Sequence, residues 1–180
     1  MKRCLSIAGP VGLRLAVTIG LALIAGSAPA ETTLYELTAE SSYLEGCYEP
    51  CRCLLMQNQT LRGVFLLGDA SGTDEESAFD ILDIAWQYRQ DDESIPVTGS
   101  GIYRVAADQQ RLTLDLVVGD SPEQQFDSGW VPRQATAPEL SVAVALNGFY
   151  CYDFVFDVTA RPSPVPVLPM TWGGLKGVYR

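Results

Sequence analysis

The sequence predicts an all-β domain of about eight antiparallel strands, and three observations carry that expectation. Apolar residues recur with a period of two through most of the stretch from Thr33 to Arg161. The segments between these runs are rich in Gly, Pro, Asp and Ser, the residues that turns require. No helical periodicity of useful length interrupts the pattern. Alternation of this kind sets one face of each strand in a core and the other toward water, the habit of antiparallel sheets.

The first strand is expected in "LYELTAESSYL", where Tyr35, Leu37, Ala39 and Tyr43 share a side. "LRGVFLLG" follows, and the separator "GDASGTDEES" leads into "FDILDIAWQY", with Leu82, Ile84, Trp86 and Tyr88 on one face. "VTGSGIYRV" carries Gly99 and Gly101, which suit a strand that bends sharply or lets another backbone come close. In "RLTLDLVV", Leu112, Leu114, Leu116 and Val118 oppose Arg111, Thr113, Asp115 and Val117. "QQFDSGWV" is next, then "LSVAVALN" with Leu140, Val142, Val144 and Leu146 in phase. "CYDFVFDVT" closes the set with Tyr152, Phe154, Phe156 and Val158.

Asn147-Gly148 reads at first as a two-residue hairpin turn. That register would set Val142 opposite Asp153 and bring carboxylates onto the apolar face, and a slip of one residue reverses every side chain. A three-residue loop or a bulge, pairing Val144 with Tyr152 and Val142 with Phe154, is therefore expected. Short hairpin-linked strands suit an up-and-down barrel, which removes exposed edges, or a two-sheet sandwich. The barrel is the preferred reading.

The ends have a different character. Lys2, Arg3 and Arg14 flank "LAVTIGLALIA", an apolar run of eleven residues, and "GSAPA" places Ala28 and Ala30 as an A-x-A site. This is the layout of a secretory signal peptide over 1–30, with cleavage leaving Glu31 first. The run is too short to span a bilayer as a helix, and Cys4 lies ahead of it rather than behind it, where lipidation would need it. A single β-domain is expected over 31–161. From Arg161, "RPSPVPVLP" holds four prolines in nine residues and reads as an extended linker into the tail "MTWGGLKGVYR", the two making up 162–180.

Composition excludes several functions. Without Lys2, Arg3 and Arg14, nine basic residues face 22 acidic ones, a formal charge of −13. Such a field repels nucleic acid and anionic membrane surfaces. The chain has no histidine, which removes the commonest general base, the commonest zinc ligand and every Ser-His or Cys-His pairing. No cofactor motif and no catalytic residue is assigned.

Cys47, Cys51 and Cys53 crowd together, with Cys151 far downstream. C-x3-C-x-C lacks the paired C-x2-C of structural zinc sites and the C-x-x-C of thioredoxin-like sites, and an exported chain meets an oxidising compartment. Disulfides are expected. A Cys51–Cys53 bridge would force a strained ring, so Cys47 should pair with Cys51 or Cys53 and Cys151 with the other.

The acidic "GDASGTDEES" (Asp69, Asp74, Glu75, Glu76) misses the EF-hand spacing and reads as a solvated loop. Asp80 with Asp83, Asp115, and Asp153 with Asp157 could be offered as glycosidase-like carboxylates. Asp115, Asp153 and Asp157 fall on polar strand faces, where outward solvation is expected. Ser128 in "DSGW" lacks the G-x-S-x-G elbow. Trp86, Tyr103, Trp130 and Phe154 are the candidate interior contacts for a ligand.

The motifs G-C-x-x-x-C-x-C, T-G-S-G-x-Y and F-D-S-G-x-V-P, spread from Gly46 to Ala160, resemble a family of small exported bacterial β-rich proteins of uncharacterised function. "TWGGLKGVYR" resembles a short tail of exported bacterial proteins but lacks the apolar helix of a membrane-sorting signal. The resemblance implies export and brings no activity, ligand or catalytic residue. Two functional expectations stand. The first is a non-enzymatic binding or structural module, secreted or periplasmic or held at the cell surface, whose partner is a small molecule or an envelope component. The second is a carboxylate-based hydrolase acting on glycans. A hollow interior lined by Trp and Phe would favour a carrier, and two carboxylates facing across a cleft would favour the enzyme.

Overall fold

In the computed structural model, which describes residues 32–53, 56–73 and 75–164, the alternating runs all become strands. The signal segment and the proline-rich tail beyond residue 164 lie outside the described residues. Eleven strands form: β1 (Thr33–Leu37), β2 (Ser42–Cys47), β3 (Gln57–Thr60), β4 (Arg62–Gly72), β5 (Ser77–Gln90), β6 (Glu93–Ala106), β7 (Gln109–Val118), β8 (Gln124–Asp127), β9 (Val131–Pro132), β10 (Leu140–Ala145) and β11 (Tyr152–Pro162).

All pairings are antiparallel and belong to one sheet, so no two-sheet sandwich forms. The path β1-β4-β5-β6-β7-β8-β10-β11 returns to β1, closing a ring of eight strands. The extra strands continue others across breaks. β1 and β2 lie end to end along one edge of β11, opposite Ala160–Pro162 and Tyr152–Asp157 respectively. β3 and β4 follow the same course one position further round, and β8 and β9 run successively along β7. With breaks bridged, the wall has an up-and-down order in which the last course neighbours the first.

Each break leaves backbone groups that must find partners, because a buried unpaired amide costs about as much as a lost hydrogen bond. Between β1 and β2, the buried Ser41 hydroxyl donates to Thr159 O at 2.7 Å and accepts from Thr159 N at 3.0 Å. Between β8 and β9, the Ser128 hydroxyl accepts from Leu112 N at 2.9 Å and donates to Gly129 O at 2.7 Å. A serine side chain thus stands in for the missing ladder at both places.

The weakest seam is between β8 and β10, which share only the pair Ala145–Asp127. Gln110 of β7, 1 % exposed, spans it from within. Its side-chain amide donates to Ser141 O of β10 at 2.7 Å and accepts from the Tyr103 hydroxyl at 2.9 Å. On the outside, Arg111 grips Asp127 through two hydrogen bonds of 3.0 and 2.7 Å.

Three details of register differ from expectation or explain it. β10 and β11 pair Val142 with Val158 and Val144 with Phe156, not with Phe154 and Tyr152, so the connecting loop is longer than three residues. The shift is an even number of residues, which keeps the apolar face inward. In β5 a bulge between Ile81 and Ile84 reverses the phase, so Ile81 is buried and Leu82, expected inside, is 41 % exposed. The glycines of "VTGSG" let β7 approach: a Cβ on Gly99 would sit 2.0 Å from Asp115 O, and one on Gly101 2.3 Å from Thr113 O.

The interior is filled by side chains. Phe65, Leu112, Leu114, Leu116, Phe126, Val144 and Phe156 are essentially inaccessible. A chain of ring contacts crosses the ring from β1 to β8: Tyr35–Phe65 at 5.4 Å, Phe65–Trp86 at 6.1 Å, Trp86–Phe156 at 6.2 Å and Phe156–Phe126 at 5.1 Å. Eight strands make a ring just wide enough for side chains to pack its centre.

The cysteines form two disulfides, Cys47–Cys53 and Cys51–Cys151. The first staples a local loop and the second joins that loop to the start of β11, across 100 residues of sequence. Two stability tests follow. Gln110→Leu should orphan the Tyr103 hydroxyl and the Ser141 carbonyl and cost about 2–4 kcal/mol, read as a lower urea midpoint. Non-reducing peptide mapping should recover both disulfides as paired here. Replacing Cys51 and Cys151 together by Ala should cost about 4–5 kcal/mol, the chain-entropy value for so long a loop.

Candidate functional site

With the centre of the ring packed, the concave surface with aromatic lining lies at its two ends, and two polar depressions of about 540 and 560 Å³ lie along the outer wall. At the end bearing the disulfides, Tyr43, Tyr88, Ile95, Phe126 and Phe154 line a depression of about 420 Å³, with Asp120 and Gln124 on its rim. Tyr43 and Tyr88 stack there at 4.2 Å. Burial pushes the Tyr43 phenol strongly upward, and the neighbouring Tyr88 and the Glu45 carboxylate add to the push.

At the opposite end, Tyr35, Leu67, Phe79, Tyr103, Val105 and Leu140 line a pocket of about 330 Å³. These residues come from β1, β4, β5, β6 and β10, where the strands run past the packed centre. The segment between β9 and β10 closes one side and brings Arg133, Pro138 and Glu139 to the pocket. Two contacts hold that segment: the Tyr35 hydroxyl donates to Pro138 O at 3.0 Å, and Arg133 N donates to Asp108 O at 2.8 Å. The Tyr103 phenol is raised by burial, against which the nearby Arg133 guanidinium acts downward. The Tyr35 phenol is raised by burial alone.

The four interior aromatics singled out from the sequence do not form one site. Trp86 is 3 % exposed and lies in the packed centre between Phe65 and Phe156. Tyr103 lines the pocket far from the disulfides, and Phe154 lines the depression beside them. Trp130 is not interior: it stands 39 % exposed on the link from β8 to β9. Ser128 turns inward there to mend the ladder, and Gly129 takes a left-handed φ of 62° that sends the next side chain outward. Tyr35, Phe79 and Arg133 were missed. The two aromatics carry only the ordinary strand signal, and Arg133 sits in a separator read as loop.

The carboxylates need one correction. Asp153, expected outside, has no exposed surface. It accepts from Asn147 N and Phe154 N through Oδ1, both at 2.8 Å, and from Phe149 N through Oδ2 at 2.7 Å. The loop from Leu146 to Cys151 folds over the start of β11 and covers what alternation marks as a solvent face. Both oxygens of Asp153 are occupied by backbone amides, so it cannot meet a substrate. Asp157 is half-buried on the same strand, and loss of solvation raises its pKa. Tyr48 lies near both carboxylates, and its phenol is raised by burial first and by their charges second. Asp80 and Asp83 are exposed, and Asp115 accepts from Gln125 on the outer wall.

Among the described residues no group of three His, Cys, Asp or Glu side chains is placed to hold a metal ion. Among them also, no helix is long and apolar enough to cross a membrane. The chain matches no protein family, no curated protein and no solved structure.

The two β11 carboxylates should respond to substitution in opposite ways. Asp153→Asn turns an amide group toward a backbone N–H that needs an acceptor, and should cost about 1–3 kcal/mol. Asp157 has a folded-state pKa above its unfolded value, so the stability it contributes is full at low pH and lost as pH rises through the raised value. Asp157→Asn should therefore raise the urea midpoint at pH 7, with the gain vanishing once the pH falls below the ordinary carboxylate range.

Proposed function

We propose that this chain is an exported, non-enzymatic binding domain that takes a small apolar molecule at the end of its strand ring rather than in a central cavity. In this reading the first thirty or so residues direct export and are removed after Ala30, and the mature domain works in the periplasm or outside the cell. The observation that carries the reading is the pocket of Tyr35, Leu67, Phe79, Tyr103, Val105 and Leu140, apolar and open beside a filled core. Its volume of about 330 Å³ suits a small ligand. Its two phenol hydroxyls are already engaged, Tyr35 with Pro138 and Tyr103 with Gln110, so the aromatic walls offer contact area more than hydrogen bonds.

The hydrolase alternative finds less support. Asp153 is enclosed, Asp80 and Asp83 face water, and among the described residues no raised carboxylate stands across a cleft from a second one. The two disulfides and the signal-like leader agree with an oxidising, extracytoplasmic setting.

Protein purified from the exported fraction should begin at Glu31 and bind the neutral fluorescent probe N-phenylnaphthylamine saturably. Val105→Trp, which fills the pocket, should abolish the fluorescence gain while leaving the urea midpoint close to wild type. Glycan and ester panels should show no turnover. Probe binding indifferent to Val105→Trp, or turnover lost in Asp80→Asn or Asp83→Asn, would overturn the proposal.

A further inference from the structure

Three ion pairs form among the described residues, Arg89–Asp92, Arg104–Glu76 and Arg111–Asp127. Arg133 belongs to none of them. It is half-buried, in a chain of strong negative charge, and it faces an apolar pocket. Among the described residues Arg52, Arg62 and Arg161 also stand outside these pairs, but Arg133 differs in lining the apolar pocket, where its guanidinium meets the Tyr103 hydroxyl and no carboxylate in an ion pair. An acidic surface offers many carboxylates to pair with, and a cation beside apolar walls gains least from staying unpaired.

We infer that the ligand of this pocket is an apolar monocarboxylate, with its tail against Phe79, Leu67 and Val105 and its carboxylate on Arg133. The inference rests on the pocket being the binding site. The chemistry is complementary at both ends. Aliphatic or aromatic carbon gains from leaving water, by about 25 cal/mol for each Å² buried. A carboxylate matches the planar fork of a guanidinium through two parallel hydrogen bonds, which a hydroxyl cannot do. The position of the cation also fits. The backbone of Arg133 is fixed to Asp108 O, and its side chain lies near the Tyr103 hydroxyl at the pocket wall. A bound carboxylate would then meet a cation that is already placed, with little ordering cost left to meet.

Two charges oppose the anion. The net charge of the domain repels it at long range, but salt screens that field over about 8 Å at physiological ionic strength. Glu139, exposed on the same rim, lies close enough to matter. It would hold the carboxylate to the Arg133 side of the mouth, and Glu139→Gln should tighten binding of the anion by a larger factor than that of a neutral analogue.

Competition against N-phenylnaphthylamine tests the inference with octanoate and octanol, which differ in the head group and share the tail. Octanoate should displace the probe at a concentration roughly tenfold or more below that of octanol. Arg133→Gln should erase that preference, bringing the ratio of octanol to octanoate concentrations needed for displacement close to one, and Arg133→Lys should keep part of it. Equal displacement by the two compounds in the wild type would overturn the carboxylate assignment and leave the pocket standing. A preference that survives Arg133→Gln would overturn the role of Arg133. Failure of the probe to respond to Val105→Trp would remove the pocket and the inference together.

Discussion

A closed wall of strands has to satisfy every backbone amide and carbonyl within itself, and the four buried polar side chains of this domain all serve that requirement. Among the described residues these are Ser41, Gln110, Ser128 and Asp153. Each stands where the ladder fails: at the break in the first course, at the seam between β8 and β10, at the turn between β8 and β9, and under the loop that enters β11. Each supplies hydrogen bonds to main-chain groups that would otherwise be buried without partners. None is spare for chemistry. The polarity of these four residues maintains the closure of the fold, while Thr38 Oγ1, Tyr48 OH and Trp86 Nε1 are buried without a hydrogen-bond partner.

The filled centre follows from the number of strands. A ring of eight leaves room for one layer of inward side chains from each wall, and here those side chains are Phe, Trp, Tyr and Leu rather than smaller residues. The ring contacts from Tyr35 to Phe126 occupy the volume that a carrier with a central cavity would need. Where the strands outrun this packing, the same aromatic residues become pocket walls. Tyr35 shows both roles: its ring stacks on Phe65 in the core, and its edge lines the pocket.

Much of this was legible in the sequence because a period of two is hard to disguise. "LSVAVALN" and "RLTLDLVV" gave their inward faces correctly, and "CYDFVFDVT" did so at Phe156 and Val158, whereas Tyr152, expected inward, is 49 % exposed where the strand begins. The cysteine pairing was half legible, because ring strain excludes Cys51–Cys53 while nothing in the spacing separates Cys51 from Cys53 as the partner of Cys151. Asp153 was misread for a specific reason. Alternation reports which side of a strand a residue takes, not whether that side is later covered, and the loop from Leu146 to Cys151 covers it. Leu82 and Trp130 were misplaced by a bulge and by a serine turned inward, neither of which alternation can register. Arg133 carried no signal at all. Its significance depends on which walls the loop meets.

The covalent and polar reinforcement is distributed unevenly, and that bears on where a ligand could enter. Both disulfides and the Asp153 carboxylate act at one end, tying the loops on either side of β11 to each other. Among the described residues the other end has no covalent tie. Its closing segment, between β9 and β10, is held by the Tyr35 hydroxyl on Pro138 O, by Arg133 N on Asp108 O and by a turn in which Glu139 N donates to Thr136 O at 3.1 Å. It also adjoins the seam that β8 and β10 share through a single residue pair. Opening the wall there breaks the fewest hydrogen bonds, because so few cross it, whereas opening the other end would strain two disulfides and uncover a carboxylate. The apolar pocket and Arg133, which joins none of the ion pairs, lie at the less restrained end. A binding site gains from that placement, since a ligand can be admitted by displacing one hydrogen-bonded segment while the packed centre and the stapled end stay fixed.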